Sequence, residues 1–173
     1  MRNPGRTVRL IAVAGVLSGA AVLGGCAQTG AVAATVDGTR ISTSDVDQTF
    51  AGAQEVSLGS SQQVTKDQVL SIMIQATVAD QVARQRGITI TDADRDKQLN
   101  PAVLDIADAH DFAYDVADIQ VVSGAIGESA LAKAVAAADV RVNPRLGSWD
   151  PKQSVNVVPG VASLSQVAQN RPQ

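Results

Sequence analysis

From Thr65 to Arg86, apolar residues stand at Val69, Ile72, Met73, Ala76, Ala79, Val82 and Ala83, the three- and four-residue steps of one helical face, and Gly87 follows as a stop. Leu70, Ile74 and Val78 carry the apolar surface round to a second side. A helix apolar over so much of its circumference belongs at the centre of a packed body, so the rest of the chain has to fold around it. Thr65 and Gln68 give it a capping signal at the front. Two uses remain open for its surface: a fully covered core, or a partly exposed apolar groove.

The chain has 173 residues, which suits one domain and excludes a large multi-domain enzyme. Hydrophobic residues make up 45% of it but aromatics only 2%, so the core is aliphatic, the material of packed helices. With Phe50, Phe112, Tyr114 and Trp149 as the whole aromatic set, a sugar-stacking cleft or an aromatic cage is not expected. A net charge of −3 and a pI near 5.0 argue against nucleic acid as a partner, since binding phosphates takes a basic face.

Arg2, Arg6 and Arg9 precede an apolar run of 14 residues, Leu10 to Leu23, closed by Gly24 and Gly25. This is the pattern of an export signal, and the run is shorter than the roughly 20 residues that span a bilayer. Leu23-Gly24-Gly25-Cys26 resembles the bacterial lipobox. The resemblance implies that residues 1–25 are a lipoprotein signal peptide, that Cys26 is diacylated, and that residues 26–32 form a short lipidated tether. An ordinary signal peptide cut at Ala33 or Ala34 is the other reading. Removing residues 1–25 takes away Arg2, Arg6 and Arg9 and moves the net charge from −3 to −6. Cys26 is the only cysteine, so no disulfide is expected. Two acyl chains are enough for stable anchoring, which puts the body at the extracytoplasmic face of a bacterial plasma membrane.

Ala33 to Ile41 reads as two short strands around Asp37-Gly38, a dipeptide suited to a type I′ turn. Ser42 with Asp45 then caps a first helix carrying Val46, Phe50, Ala53 and Val56 at helical spacing. Leu58 to Gln63 breaks the pattern before the long helix. After Gly87 come an extended link at Ile88–Ile90, a short charged helix capped at Thr91, a restart at Pro101, and room for two or three helices between Ala102 and Ala138.

Ala34-Thr35-Val36-Asp37-Gly38-Thr39-Arg40-Ile41-Ser42, followed by a helix, resembles the opening of the SurA and PrsA type of extracytoplasmic foldases. The far end agrees: Asp139 to Asp150, with Val142-Asn143-Pro144-Arg145-Leu146-Gly147-Ser148-Trp149, resembles their closing strand. The resemblance implies a mainly α domain with a small β-sheet, in which the N-terminal hairpin pairs with the C-terminal strand. It marks Asp37, Gly38, Asn143, Pro144, Arg145, Gly147 and Trp149 as structural motif residues. The SurA-N-like domain is then expected over 33–150, with a C-terminal tail over 151–173 that carries one short apolar run from Val155 and then frays.

Catalytic members of that family insert a parvulin domain before the closing strand, and only 52 positions separate Gly87 from Asp139. No nucleophile arrangement or cofactor motif stands out, so the expectation is a non-enzyme without cofactor or metal. Asp92, Asp94 and Asp96 have the alternation that opens a Ca²⁺ loop but lack its Gly and Glu, and read as a solvated helix start. His110, beside Asp108 and Asp111, reads as a pH sensor or as a surface histidine. Asp105, Asp108, Asp111, Asp115 and Asp118 recur at helical steps and are expected to form a wet face. The resemblance implies a chaperone-like lipoprotein binding unfolded or exported polypeptides, with Leu70, Ile72, Met73 and Ile74 as candidate client contacts. The alternative is an accessory lipoprotein scaffold for one cell-envelope partner.

Overall fold

The computed structural model describes residues 31–57, 63–151 and 155–159. Strands β1 (Val32–Val36) and β2 (Thr39–Ser42) form the expected hairpin, with Val36 opposite Thr39 and Ala34 opposite Ile41. Asp37 and Gly38 have φ of 46° and 84°, the two positive values that a type I′ turn requires. Ser42 caps helix α1 (Thr43–Ser57): its hydroxyl accepts from the Asp45 N–H at 3.1 Å, and its own N–H donates to the Asp45 carboxylate at 3.3 Å.

Helix α2 (Lys66–Arg86) starts where Thr65 N–H donates to Gln68 Oε1 at 3.0 Å and stops at Gly87, after which Ile88 N–H reaches back to the Ala83 carbonyl at 2.9 Å. It lies at the centre of the body, packed against α1, β1 and the later helices α5 (His110–Ile126) and α6 (Glu128–Ala137). Val69, Ile74 and Ala79 on it are fully buried. Between α2 and α5 run the short helices α3 (Asp92–Asp96) and α4 (Pro101–Leu104) and a 3-10 turn at Ala107–Ala109. A core poor in aromatics closes through small residues at close approaches. The sharpest is Gly52 on α1, where any Cβ would collide with the Asp108 carbonyl of the 3-10 turn.

Strand β3 (Val140–Val142) returns to the hairpin and pairs antiparallel with β1, Ala34 opposite Val142 and Val36 opposite Val140, so the sheet order is β2-β1-β3. The end-to-end pairing expected from the motifs is present, and the chain is mainly helical with small antiparallel sheets.

One expectation about the far end needs correction. Asp139–Asp150 is not one strand. Pro144, with no N–H and a fixed φ, ends β3, and a turn follows in which Leu146 N–H donates to the Asn143 carbonyl at 2.8 Å. A separate strand, β4 (Ser148–Asp150), then pairs with β5 (Asn156–Val158) in a second, two-stranded sheet. The short apolar run expected near the start of the tail is part of the body, and the stretch beyond residue 159 lies outside the described residues. Val157 is 4% exposed and belongs to the hydrophobic core, because alternation along β5 turns this one side chain inward while Asn156 and Val158 face out.

Candidate functional site

Strand β5 lies across α2 and is held there by two polar side chains of the helix. Val157 N–H donates to Ser71 Oγ at 2.9 Å, while the Ser71 hydroxyl donates in turn to the Asp67 carbonyl at 2.7 Å. One turn further on, Gln75 Nε2 donates to the Val155 carbonyl and to Asn156 Oδ1, both at 3.3 Å. Ser71 and Gln75 sit four residues apart on one face; Ser71 holds the backbone of β5, and Gln75 holds the bend that leads into it, where Val155 has φ of 54°.

An open cleft lies to either side of this strand. One, of about 360 Å³, runs between α2, α5 and α6 and is lined by Ile119, Leu131, Val135 and Val155, with Gln75, Gln120, Ser123 and Glu128 as polar members. The other, of about 430 Å³, is formed by Ile72, Phe112 and Val157 with Asp67, Gln68, Ser71 and Asn156. Both are mainly apolar with a few polar groups, the character of a site that takes apolar side chains and orients a backbone. A third hollow, of about 510 Å³, follows β1 and β3 from Val32 to Thr35 and includes Arg141, Asn143, Pro144 and Arg145.

The residues picked from sequence divide. Ile72 is half-buried and lines a cleft; Met73 is half-buried and packs against the core. Leu70 and Ile74, expected as client contacts, are 1% and 0% exposed and lie in the core instead. They sit on the side of α2 that its neighbours cover, since an apolar helix at the centre of a body has its richest face enclosed. Cys26, the signal segment and most of the tether lie outside the described residues. Ser71, Gln75, Phe112, Ile119 and Val157 were not picked. No distinctive signal marked the first two, because α2 also carries Asp67, Gln68, Thr77, Asp80 and Gln81 among its apolar residues.

The family-motif residues hold the ends of the body together. Asp37 N–H donates to the Asp139 carbonyl at 3.0 Å, and Asp139 N–H donates to Asp37 Oδ1 at 2.9 Å. Asn143 ties the turn after β3 to β1, donating from Nδ2 to the Val32 carbonyl at 3.1 Å and from its backbone to the Ala33 carbonyl at 2.8 Å. Its side-chain oxygen accepts the Arg145 N–H at 3.1 Å. Gly147 has φ of +140° and leaves space filled by β5: a Cβ there would come within 2.5 Å of the Val158 carbonyl oxygen. Trp149 stands opposite Val157 in register and packs half-buried against the core, its indole Nε1 enclosed without an acceptor among the described residues.

The acidic stripe is wet over most of its length, as expected, and turns inward at its end: Asp105, Asp108 and Asp111 are exposed, Asp115 is half-buried and Asp118 is enclosed. Asp118 is 7% exposed and accepts a two-pronged bond from Arg95 of α3, Nε to Oδ1 at 2.6 Å and Nη2 to Oδ2 at 3.2 Å. Arg95 also reaches Asp92 at 2.9 Å and lies 5.1 Å from the centre of the Tyr114 ring. One guanidinium thus holds Asp118 inward and pins α3 to α5. Asp115 is pushed up to about 7 by burial, with further contributions from the Asp118, Asp111 and Asp80 carboxylates. Burial, followed by Asp118, also raises Asp80 on α2. His110 is half exposed, 3.6 Å from Asp111 and ring to ring with Tyr114 at 4.0 Å. The alternating aspartates of α3 are engaged in its own cap and pairs: Asp94 accepts from the Thr91 hydroxyl at 2.7 Å, and Asp96 accepts from the Tyr114 hydroxyl at 3.1 Å. Among the described residues no group of three or more His, Cys, Asp or Glu is arranged to hold a metal ion, and no helix is long and apolar enough to cross a membrane.

The hairpin, the capped first helix and the central α2 define an SurA-N-type body. A family model for the SurA-like N-terminal domain matches residues 5–104, more than half of the chain, and the protein belongs to that family, which is related to chaperones and foldases. The match takes in the hairpin and α1 to α4; the β5 strand and both walls supplied by α5 and α6 lie beyond it. Comparison with curated proteins and with solved structures gave no match.

Proposed function

We propose that this protein is a non-catalytic chaperone-like lipoprotein that binds unfolded segments of exported polypeptides at the extracytoplasmic face of the membrane, anchored through Cys26. The observation that carries this reading is the way α2 receives β5: Ser71 bonds the backbone of the extended strand, Gln75 bonds the bend that leads into it, and clefts with apolar lining open beside it. Backbone bonding with apolar pockets for side chains recognises extended chains with little regard to sequence. Membership of a chaperone-related family supports the same reading. The lipobox-like Leu23-Gly24-Gly25-Cys26 supports the anchor. An acidic body helps to keep a protein carrying apolar clients in solution.

The test is suppression of aggregation of an unrelated unfolded protein at near-stoichiometric ratio. Suppression by the wild-type chain, without prolyl isomerase or peptidase turnover, is the expected result; none at any ratio removes the reading. For the anchor, Cys26→Ser is expected to shift the protein out of the membrane fraction or to leave an unprocessed precursor.

A second reading, an accessory lipoprotein serving one envelope partner, is favoured by a single fact. Among the described residues only Val158, at 41%, is a large exposed hydrophobic, so the surface shows no broad apolar patch. Binding confined to one envelope protein, with no effect on unfolded proteins, is the result that selects it.

A further inference from the structure

We propose that β5 is the resident occupant of a strand-binding slot, and that an extended segment of an unfolded polypeptide displaces it and pairs with β4 in its place. The nature of the ligand rests on the polypeptide-binding reading above; the slot itself is argued from geometry. The polar contacts that hold β5 on α2 go mainly to its backbone, the Val157 N–H and the Val155 carbonyl. Any residue other than proline supplies that N–H, so these bonds do not require the β5 sequence.

Only one side chain of β5 is enclosed, that of Val157. The strand is three residues long in a sheet of two, an arrangement of marginal stability by itself. Gly147 keeps the approach to β4 open to a backbone: its missing Cβ is what lets the Val158 carbonyl come close. The resident strand also fills its surroundings poorly. Val155 borders the 360 Å³ cleft and Asn156 the 430 Å³ cleft, and both remain open. An incoming strand with a β-branched residue at the place of Val157 would keep the N–H bond to Ser71, would not need the positive φ of 54° that Val155 adopts, and with large apolar side chains at the two preceding positions would fill both clefts. The occupant is therefore an extended apolar segment, which competes with a tethered and less well fitted copy of itself.

The experiment measures binding of a labelled peptide spanning 151–159 and carrying Val155→Phe and Asn156→Leu. Three full-length proteins are compared: wild type; Val157→Asp, which places a carboxylate in the core and evicts β5; and Ser148→Cys/Val158→Cys in a Cys26→Ser background, which joins residues that face each other across the β4–β5 register. Val157→Asp is expected to bind at least about ten-fold more tightly than wild type, because the fraction of open slot sets the apparent affinity. The oxidised cysteine pair is expected to bind nothing and to recover wild-type affinity on reduction. Should Val157→Asp fail to fold, the cysteine pair decides alone.

Equal binding by the oxidised and reduced forms overturns the proposal, as does a folded Val157→Asp with no gain. Concentration-dependent dimers of Val157→Asp that take up no peptide overturn it too, naming a second copy as the occupant. A peptide switch in proteins that suppress no aggregation would leave the slot standing and remove the chaperone reading.

Discussion

Asp37 and Asp139 exchange two hydrogen bonds across 102 positions of sequence, backbone to backbone at 3.0 Å and backbone to carboxylate at 2.9 Å, and so lock the hairpin turn to the start of β3. Asp37→Ala removes the carboxylate acceptor and leaves an alanine at φ of 46°, so a loss of about 1–2 kcal/mol in chemical denaturation is expected. Asp37→Asn keeps both the acceptor and the tolerance for that backbone and is expected to lie within about 0.5 kcal/mol of wild type. Truncation after Ala138 removes β3, β4 and β5 together and is expected to abolish the cooperative melt.

Gly52→Ala tests the tightest helix contact. The added methyl meets the Asp108 carbonyl, which is backbone and cannot rotate aside. A loss of about 3 kcal/mol or more is expected in a denaturant titration, against a gain of up to about 1 kcal/mol for the same change at an unencumbered helix position.

Stability should fall as pH rises through neutrality. Asp115 holds its proton up to about 7 in the folded protein because of burial, whereas the unfolded chain releases it near pH 3.9. The folded state therefore binds more protons in that interval, and the contribution is complete below about pH 3.9 and lost as pH climbs through about 7. Asp80 shifts in the same direction. Asp94, lowered chiefly by the Thr91 hydroxyl, acts oppositely and only at acid pH. Asp115→Asn is expected to flatten the fall between pH 5 and 8 and to stabilise the protein at pH 8 by on the order of 2 kcal/mol, read from melts across that range.

Leu70→Asp and Ile72→Asp separate core from groove. Leu70 is fully enclosed, and a carboxylate there is expected to unfold the protein by circular dichroism. Ile72 lines a cleft, so Ile72→Asp is expected to stay folded, with a loss of about 1–2 kcal/mol, and to lose binding of unfolded chains.

The hairpin, both helix caps and strand β3 were legible because each is written locally: Asp37-Gly38 for the turn, Ser42 with Asp45 and Thr65 with Gln68 for the caps, and alternation at Val140, Arg141 and Val142 for β3, whereas the pairing of β3 with the hairpin came only from the resemblance of the two ends to SurA and PrsA type foldases. The candidate site was half legible. Periodicity identified α2 as central but could not say which of its apolar residues face an opening, because that depends on where α5, α6 and β5 come to rest. Leu70 and Ile72 are both apolar and two positions apart, yet one is core and the other lines a cleft. Asp115 and Asp118 read as solvated because like charges repel. What allows Asp118 to be buried is Arg95, 23 residues before it and on another helix, which a pattern read along one helix does not reveal. Strand β5 was missed because its three residues form a strand only against β4 and Ser71.

Hydrogen exchange of the full-length protein, alone and saturated with an unfolded client, tests the central claim most directly. Slowed exchange at 66–75 and 112–123, with faster exchange at 155–158 as the resident strand leaves, is the result this structure predicts. Protection confined to the β2-β1-β3 sheet, or none anywhere while the client remains bound, would contradict it.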